Sequence, residues 1–286
     1  MNPGAFFISR LRRIKHWLRR QFWGWRRDSL PEEITDYIGR AAIRYRVRTD
    51  IGAALYLKGS FEGKDLALIA RILGAKPSGD LTIFDVGANI GVHSITLCSL
   101  FPSARIVAFE PAAGPRRMLE LNIRSNGFAQ RIQIEPCALS NARGTADFFE
   151  MEDDAYSSLK DTQRKKFLRK SPVQLETLDH IVNSRAIARL DLVKIDVEGF
   201  ETEVIEGGRN ALAALKPDLF VEIYQGASSN ADPLRTIRLL TDAGYRGWVV
   251  RDGGLLPMAQ HDDRYHNYYF SVRDVPADLA RSVASA

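Results

Sequence analysis

Between Leu81 and about Pro217, short apolar runs alternate with segments of helical period, and that alternation leaves few folds open. The runs Leu81–Val86, Arg105–Glu110, Ile132–Ala138, Asp191–Val197 and Asp218–Tyr224 are rich in Val, Ile, Leu or Phe and end in Gly, Pro or a carboxylate. A strand buried on both faces reads as a continuous apolar run, so these predict a parallel sheet covered by helices on both sides. Helices are expected at Val92–Leu100, Ala113–Ser125, Glu201–Ala214 and Pro233–Ala243. Trp248–Val250 and Tyr268–Val272 predict an antiparallel hairpin closing one edge. The sum is a mostly parallel, doubly wound α/β fold, in which ligands bind beyond the carboxyl ends of the strands.

Composition narrows the class. The chain has 286 residues, 45% hydrophobic and 26% charged, which excludes fibrous and wholly disordered proteins. Cys98 and Cys137 form neither a disulfide framework nor a metal cluster, and the five His make no triad. No resident metal is therefore expected. No apolar run is long enough to span a membrane, and Ala5-Phe6-Phe7-Ile8 is too short for a secretory signal. These features predict a cytoplasmic protein.

The net charge of +5 has a local origin. Residues 1–27 carry eight basic side chains and no acidic one; taking these from the 40 leaves 32 basic against 35 acidic residues. A body of that balance disfavours nucleic acid as a partner. Within the basic segment, Phe7, Leu11, Ile14, Leu18, Phe22 and Trp25 share roughly an 80° arc of a helix. Residues 6–27 thus fit a helix lying on an anionic membrane surface, or one docked on the catalytic body or a partner. The expected division is a basic segment 1–30, a helical lead-in 31–78, a catalytic domain 79–275 and a tail 276–286.

Asp85-Val86-Gly87-Ala88-Asn89-Ile90-Gly91 runs from the first strand into a helix. Gly87 permits a tight turn with the backbone close to a ligand, and Gly91 permits close helix–strand packing. Where a dinucleotide fingerprint opens on glycine, this loop opens on Asp85. A carboxylate tolerates a cationic ligand better than a pyrophosphate, which points to S-adenosyl-L-methionine. Glu110, at the next strand end, suits the two ribose hydroxyls of an adenosine. Ala138, at the third, suits a wall beside the adenine or ordinary packing. Asp196 and Glu198 follow the fourth strand, where period-two alternation would put both on one face. They could hold an amino group, take a proton from an acceptor, or cap the next helix. Glu222, ending the fifth strand, is a third candidate base.

DVGANIG (85–91), FEP (109–111), ALS (138–140), SSL (157–159), TLD (177–179) and KIDVEGFE (194–201) occur in this order, with Gly207 and Pro217. On these motifs the chain resembles the FkbM family of S-adenosylmethionine-dependent methyltransferases. The resemblance implies a class I, Rossmann-like sheet and O-methylation of a hydroxyl on a saccharide, glycolipid or natural product. RNA or protein methylation, or a non-catalytic nucleoside-binding module, are the alternatives. Carried over by position, Asp85, Gly87, Ala88, Asn89 and Gly91 line the cofactor and Glu110 binds its ribose. Asp196 and Glu198 face the transfer site. His93 stands where an aromatic is usual. The polar segment Met151–Ser171 could fold over the acceptor, and Tyr265, His266 and Tyr268 could stack on a sugar.

Overall fold

The computed structural model describes residues 32–37, 41–76, 80–160, 165–224, 232–276 and 278–280, with positions 19 and 21. The lead-in consists of β1 (Glu32–Tyr37), β2 (Ala41–Tyr45), α1 (Asp50–Lys58) and α2 (Gly63–Gly74). There follow β3 (Thr82–Val86), α3 (Val92–Leu100), β4 (Arg105–Phe109), α4 (Ala113–Ser125), β5 (Ile132–Glu135) and β6 (Cys137–Leu139). Next come β7 (Gly144–Met151), β8 (Phe167–Glu176), α5 (Leu178–Ser184), β9 (Leu192–Ile195), α6 (Glu201–Glu206) and α7 (Arg209–Leu215). The chain closes with β10 (Asp218–Glu222), α8 (Pro233–Asp242), β11 (Arg246–Arg251), β12 (Gly254–Pro257) and β13 (Asn267–Ser271).

Among the described residues, eight strands form one sheet in the order β12-β11-β13-β10-β9-β3-β4-β5. The five from β10 to β5 are parallel. β13, β11 and β12 extend one edge antiparallel. Alternation along each parallel strand divides the core. Ile83, Ile106, Leu192 and Phe220 pack with Leu66, Ile95 and Leu119 on one face. Phe84, Val107, Val193 and Leu219 pack with Leu178, Val204 and Leu240 on the other. The expected doubly wound sheet is present, with eight strands in place of seven. The extra strand, β12, folds back on β11 through Asp252-Gly253, both at positive φ, as a two-residue hairpin requires.

Several local expectations are corrected. Ile132–Ala138 is two strands, because Pro136 has no N–H to donate and ends the ladder. β5 stays in the main sheet, while β6 joins a separate sheet of order β6-β8-β7. The polar segment Met151–Ser171 is bounded by an antiparallel pair, β7 with β8, which buries Phe148 and Val173 against Ala112 and Ala138. The helix expected over Glu201–Ala214 divides at Gly207-Gly208 into α6 and α7.

The lead-in is not purely helical either: β1 and β2 form an antiparallel hairpin. β2 buries alternate residues Ala41, Ile43 and Tyr45, a period too short to stand out from its flanks. Its outer edge is closed by two amides one turn apart on α4. Asn122 accepts from Arg44 N (2.7 Å) and donates to Arg44 O (3.1 Å). Asn126 does the same with Ala42 (2.8 and 2.7 Å). Residues 38–40 and most of the basic segment lie outside the described residues. Of that segment, Arg19 donates to Tyr56 O (2.9 Å) and stacks on its ring at 4.9 Å, a contact with the body. No described helix is long and apolar enough to cross a membrane.

Candidate active site

β3 and β9 are neighbours, yet the chain runs on from β3 to β4 on one side and from β9 to β10 on the other. A crevice opens at such a reversal. Gly87, Ala88, Asn89, Glu110, Ala138, Asp196, Glu198 and Glu222 all line it. Gly87 adopts φ +78°, and a Cβ there would stand 1.9 Å from the Asp196 carbonyl oxygen. Only a bare backbone lets the two strand ends approach this closely. The amides of Gly87 and Ala88 donate to Phe109 O at 3.1 and 3.0 Å, which ties the loop to β4.

Two residues expected to line the cofactor, Asp85 and Gly91, are not among those that line the crevice. Asp85 is 1% exposed and shares the face of Ile83, the face that α3 covers. Its Oδ2 accepts from the Ser94 hydroxyl (2.6 Å) and amide (3.1 Å), so the carboxylate anchors the first turn of α3. Gly91, at φ +89°, is needed for packing: a Cβ would meet Leu119 Cδ1 of α4 at 2.4 Å, rather than the strand expected.

Glu110 is buried, with Oε2 accepting from Asn89 N and Oε1 from Ala112 N, each at 2.8 Å. Burial pushes its carboxyl up to about 7, against the pull of the two amides. Each oxygen keeps a lone pair on the cleft side, which suits a vicinal diol.

The far side is crowded with charge. Lys194, buried in β9, donates to Asp196 Oδ2 (3.1 Å) and Gly87 O (3.2 Å) and lies 3.7 Å from Asp85 Oδ1. Burial disfavours its charge, but Asp196, Asp85 and Glu62 carry its pKa above the ordinary lysine value. Burial likewise opposes ionisation of Asp196, yet Lys194 and a hydrogen bond with Glu222 hold its carboxyl below the usual range. Burial and then Asp196 and Glu198 drive Glu222 well above its ordinary value. The two carboxyls are thus pushed to opposite sides of their ordinary range.

Asp196, Glu198 and Glu222 bring oxygens within 4.8 Å of one another, close enough to surround one cation. Strand alternation does not bring the first two together, as the sequence suggests. β9 ends at Ile195, and Glu198 (φ +52°) and Gly199 (φ +100°) turn the loop back. Glu201 holds that turn, with Oε1 accepting from Gly199 N (3.0 Å) and Val197 N (3.3 Å).

Several cleft residues were missed. Glu62 and Phe61 come from the lead-in, and Tyr37 of β1 fixes them by donating to Phe61 O (2.5 Å) and accepting from its amide (3.0 Å). No spacing rule links position 62 to the loop at 87. Lys194 did carry a signal, a cation inside a buried run. His93, given no role from sequence, also lines the cleft. Asp154, Tyr156 and Ser157 line it, so part of the polar segment reaches the cleft. Tyr156 donates to Asp50 Oδ2 (2.6 Å), which latches that segment to α1. The stretch around Tyr265 and His266 does not line the cleft; Tyr268 is fully buried in β13.

Residues 85–246 match the methyltransferase FkbM domain model. The hexuronic acid methyltransferase AglP of Haloferax volcanii is 26% identical over 82% of this chain and 89% of its own length. The 2-O-methyltransferase NoeI of Sinorhizobium fredii is 28% identical over 58% of this chain and 73% of its own. The AMB antimetabolite synthetase AmbE of Pseudomonas aeruginosa is 28% identical over 66% of this chain, which spans only 10% of that much longer protein. A crystal structure of methyltransferase FkbM from Methylobacillus flagellatus KT superposes with a TM-score of 0.48 at 16% identity, over 76% of this chain and 52% of that one. With the matched domain extending over more than half its length, the chain belongs to the FkbM family of methyltransferases.

Proposed function

We propose that this chain moves the methyl group of S-adenosyl-L-methionine to a hydroxyl of a saccharide or related small molecule. One observation carries the reading: the buried carboxylate of Glu110, the loop that opens on Gly87 and a carboxylate cluster stand in a row along the ends of β4, β3, β9 and β10. That row matches a ligand with a ribose at one end and positive charge at the other. Gly87 supports the fit indirectly: a Cβ there would strike the Asp196 carbonyl oxygen at 1.9 Å and force apart the strand ends that form the crevice.

When bound, S-adenosyl-L-methionine supplies an electrophilic methyl group on a positively charged sulfur. Glu110 would hold the ribose hydroxyls, with Asn89 N fixing the carboxylate's orientation. The backbone of Gly87 and Ala88 would lie along the ligand, and Ala138 beside its base. An acid near a cation that loses its charge stabilises the reactant more than the transition state, so Asp196 serves binding rather than rate. Speed then rests on alignment and on removal of the hydroxyl proton. Asp196 is paired with Lys194, and Glu198 lines the cleft within 4.8 Å of Asp196 and Glu222, so Glu198 is assigned as the base.

The names of AglP and NoeI, a hexuronic acid methyltransferase and a 2-O-methyltransferase, support a sugar hydroxyl as acceptor. The test is transfer of radiolabelled methyl to uronic-acid and neutral glycans, followed by mild alkali. Label that survives alkali is the expected ether; label released by alkali is an ester and removes the hydroxyl assignment. Calorimetry with S-adenosylmethionine that shows no binding would remove the donor assignment.

A further inference from the structure

Glu62 begins α2 at φ +49°, a left-handed conformation that costs a non-glycine residue energy. Its carbonyl accepts the first helical bond, from Leu66 N at 2.9 Å, while its side chain reaches the cleft. His93 stands behind that carboxylate, with Nε2 3.3 Å from Oε2. The alignment is poor for a hydrogen bond, and Nε2, on a residue 5% exposed, is buried without a partner. Burial and the neighbouring Asp196 push the Glu62 carboxyl up to about 8, while burial holds His93 down at about 4. Three carboxyl groups, Glu62, Asp85 and Asp196, thus act on one ammonium, that of Lys194, with Asp196 and Asp85 oxygens 3.1 and 3.7 Å from it. A second cation would relieve that crowding.

Building on the donor site proposed above, we infer that Glu62 binds the α-ammonium of the donor's methionyl end, with His93 as the positioning residue behind it. The lead-in segment then completes the donor site from outside the stretch, 85–246, that matches the family domain. Ribose at Glu110 and ammonium at Glu62 place the sulfur between them, over Gly87 and beside Asp196.

The test is calorimetry on the full chain with three ligands: S-adenosylmethionine, S-adenosylhomocysteine and 5′-methylthioadenosine. The last lacks the amino-acid end. Glu62→Gln is expected to weaken the first two by roughly 10- to 100-fold, the range for a hydrogen bond between charged groups, and to leave the third unchanged. Equal losses on all three, or none, overturn the proposal, because a merely structural role cannot tell the ligands apart. Loss on S-adenosylmethionine alone also overturns it, since the carboxylate would then serve the sulfur. Glu62→Asp keeps the charge and should show the same ligand pattern with a smaller loss; should Glu62→Gln unfold, that pattern decides. A wild-type chain that binds none of the three removes the methyltransferase reading itself, whereas binding without selectivity in the variants removes only this inference.

Discussion

The two ends of the cleft are built differently. At the ribose end the groups come from two adjacent strand ends, and both oxygens of Glu110 are met by backbone amides. At the far end, groups from the start of α2, from α3, from β9 and from β10 converge, with the ammonium of Lys194 among the acids. The first end is an arrangement of backbone that a nucleoside completes. The second is an electrostatic environment that responds to ligand charge. Recognition by shape needs residues close in sequence, because a single turn sets their geometry. Charge balance can be assembled from anywhere in the chain.

Changes at the seam between the two ends should do most damage. Gly87→Ala must accommodate a contact of 1.9 Å at positive φ, so about 2–5 kcal/mol of stability should be lost, together with nucleoside binding. Urea denaturation measures it, and a loss below about 1 kcal/mol would mean the seam is not tightly closed. Glu198→Gln comes next: kcat should fall about 10²- to 10⁴-fold with donor affinity within about twofold. Equal losses in both would make Glu198 a binding group. Glu110→Gln should act only on the nucleoside end, weakening S-adenosylhomocysteine by about 10- to 100-fold. A comparable loss for acceptor binding would erase the division between the ends.

The ends should also differ in pH response. An acid whose folded pKa is raised stabilises the fold below its unfolded value, and that stability is lost as pH rises through the folded value. Glu110 and Glu201 are pushed up from 4.5 to about 7 and Glu62 to about 8, so ligand-free stability should fall as pH rises from about 4.5 and level off above about 8. Glu62→Gln should reduce that slope by less than about 1.4 kcal/mol per pH unit. Denaturant midpoints across that window measure it, and an unchanged slope would mean Glu62 does not titrate there. Smallest of all, Tyr156→Phe removes one partly exposed bond to Asp50 and should cost under about 1 kcal/mol. A larger drop in melting temperature would show the polar segment to be part of the folding core.

Much was legible beforehand. The parallel strands announced themselves because burial on both faces demands unbroken apolar runs, and the loop at Gly87 because a tight turn beside a ligand demands glycine. The hairpin of β1 and β2 was not legible: its alternation lasts five residues, and the amides that close its edge lie on α4, some 80 residues away. Asp85 was read correctly as an acid at a strand end, but its direction depends on which face α3 covers. Glu198 meets Glu222 through a turn that no strand periodicity describes.

The amino-acid order by itself determined the sheet, its crevice and the carboxylate that ends β4, since each depends on burial period or on residues a few positions apart. Only the tertiary structure decided which acids crowd together, which one faces inward to anchor a helix, and that Glu62 belongs to the cleft. Those outcomes depend on distances between charges through space, and electrostatic energy follows separation and burial rather than position along the chain.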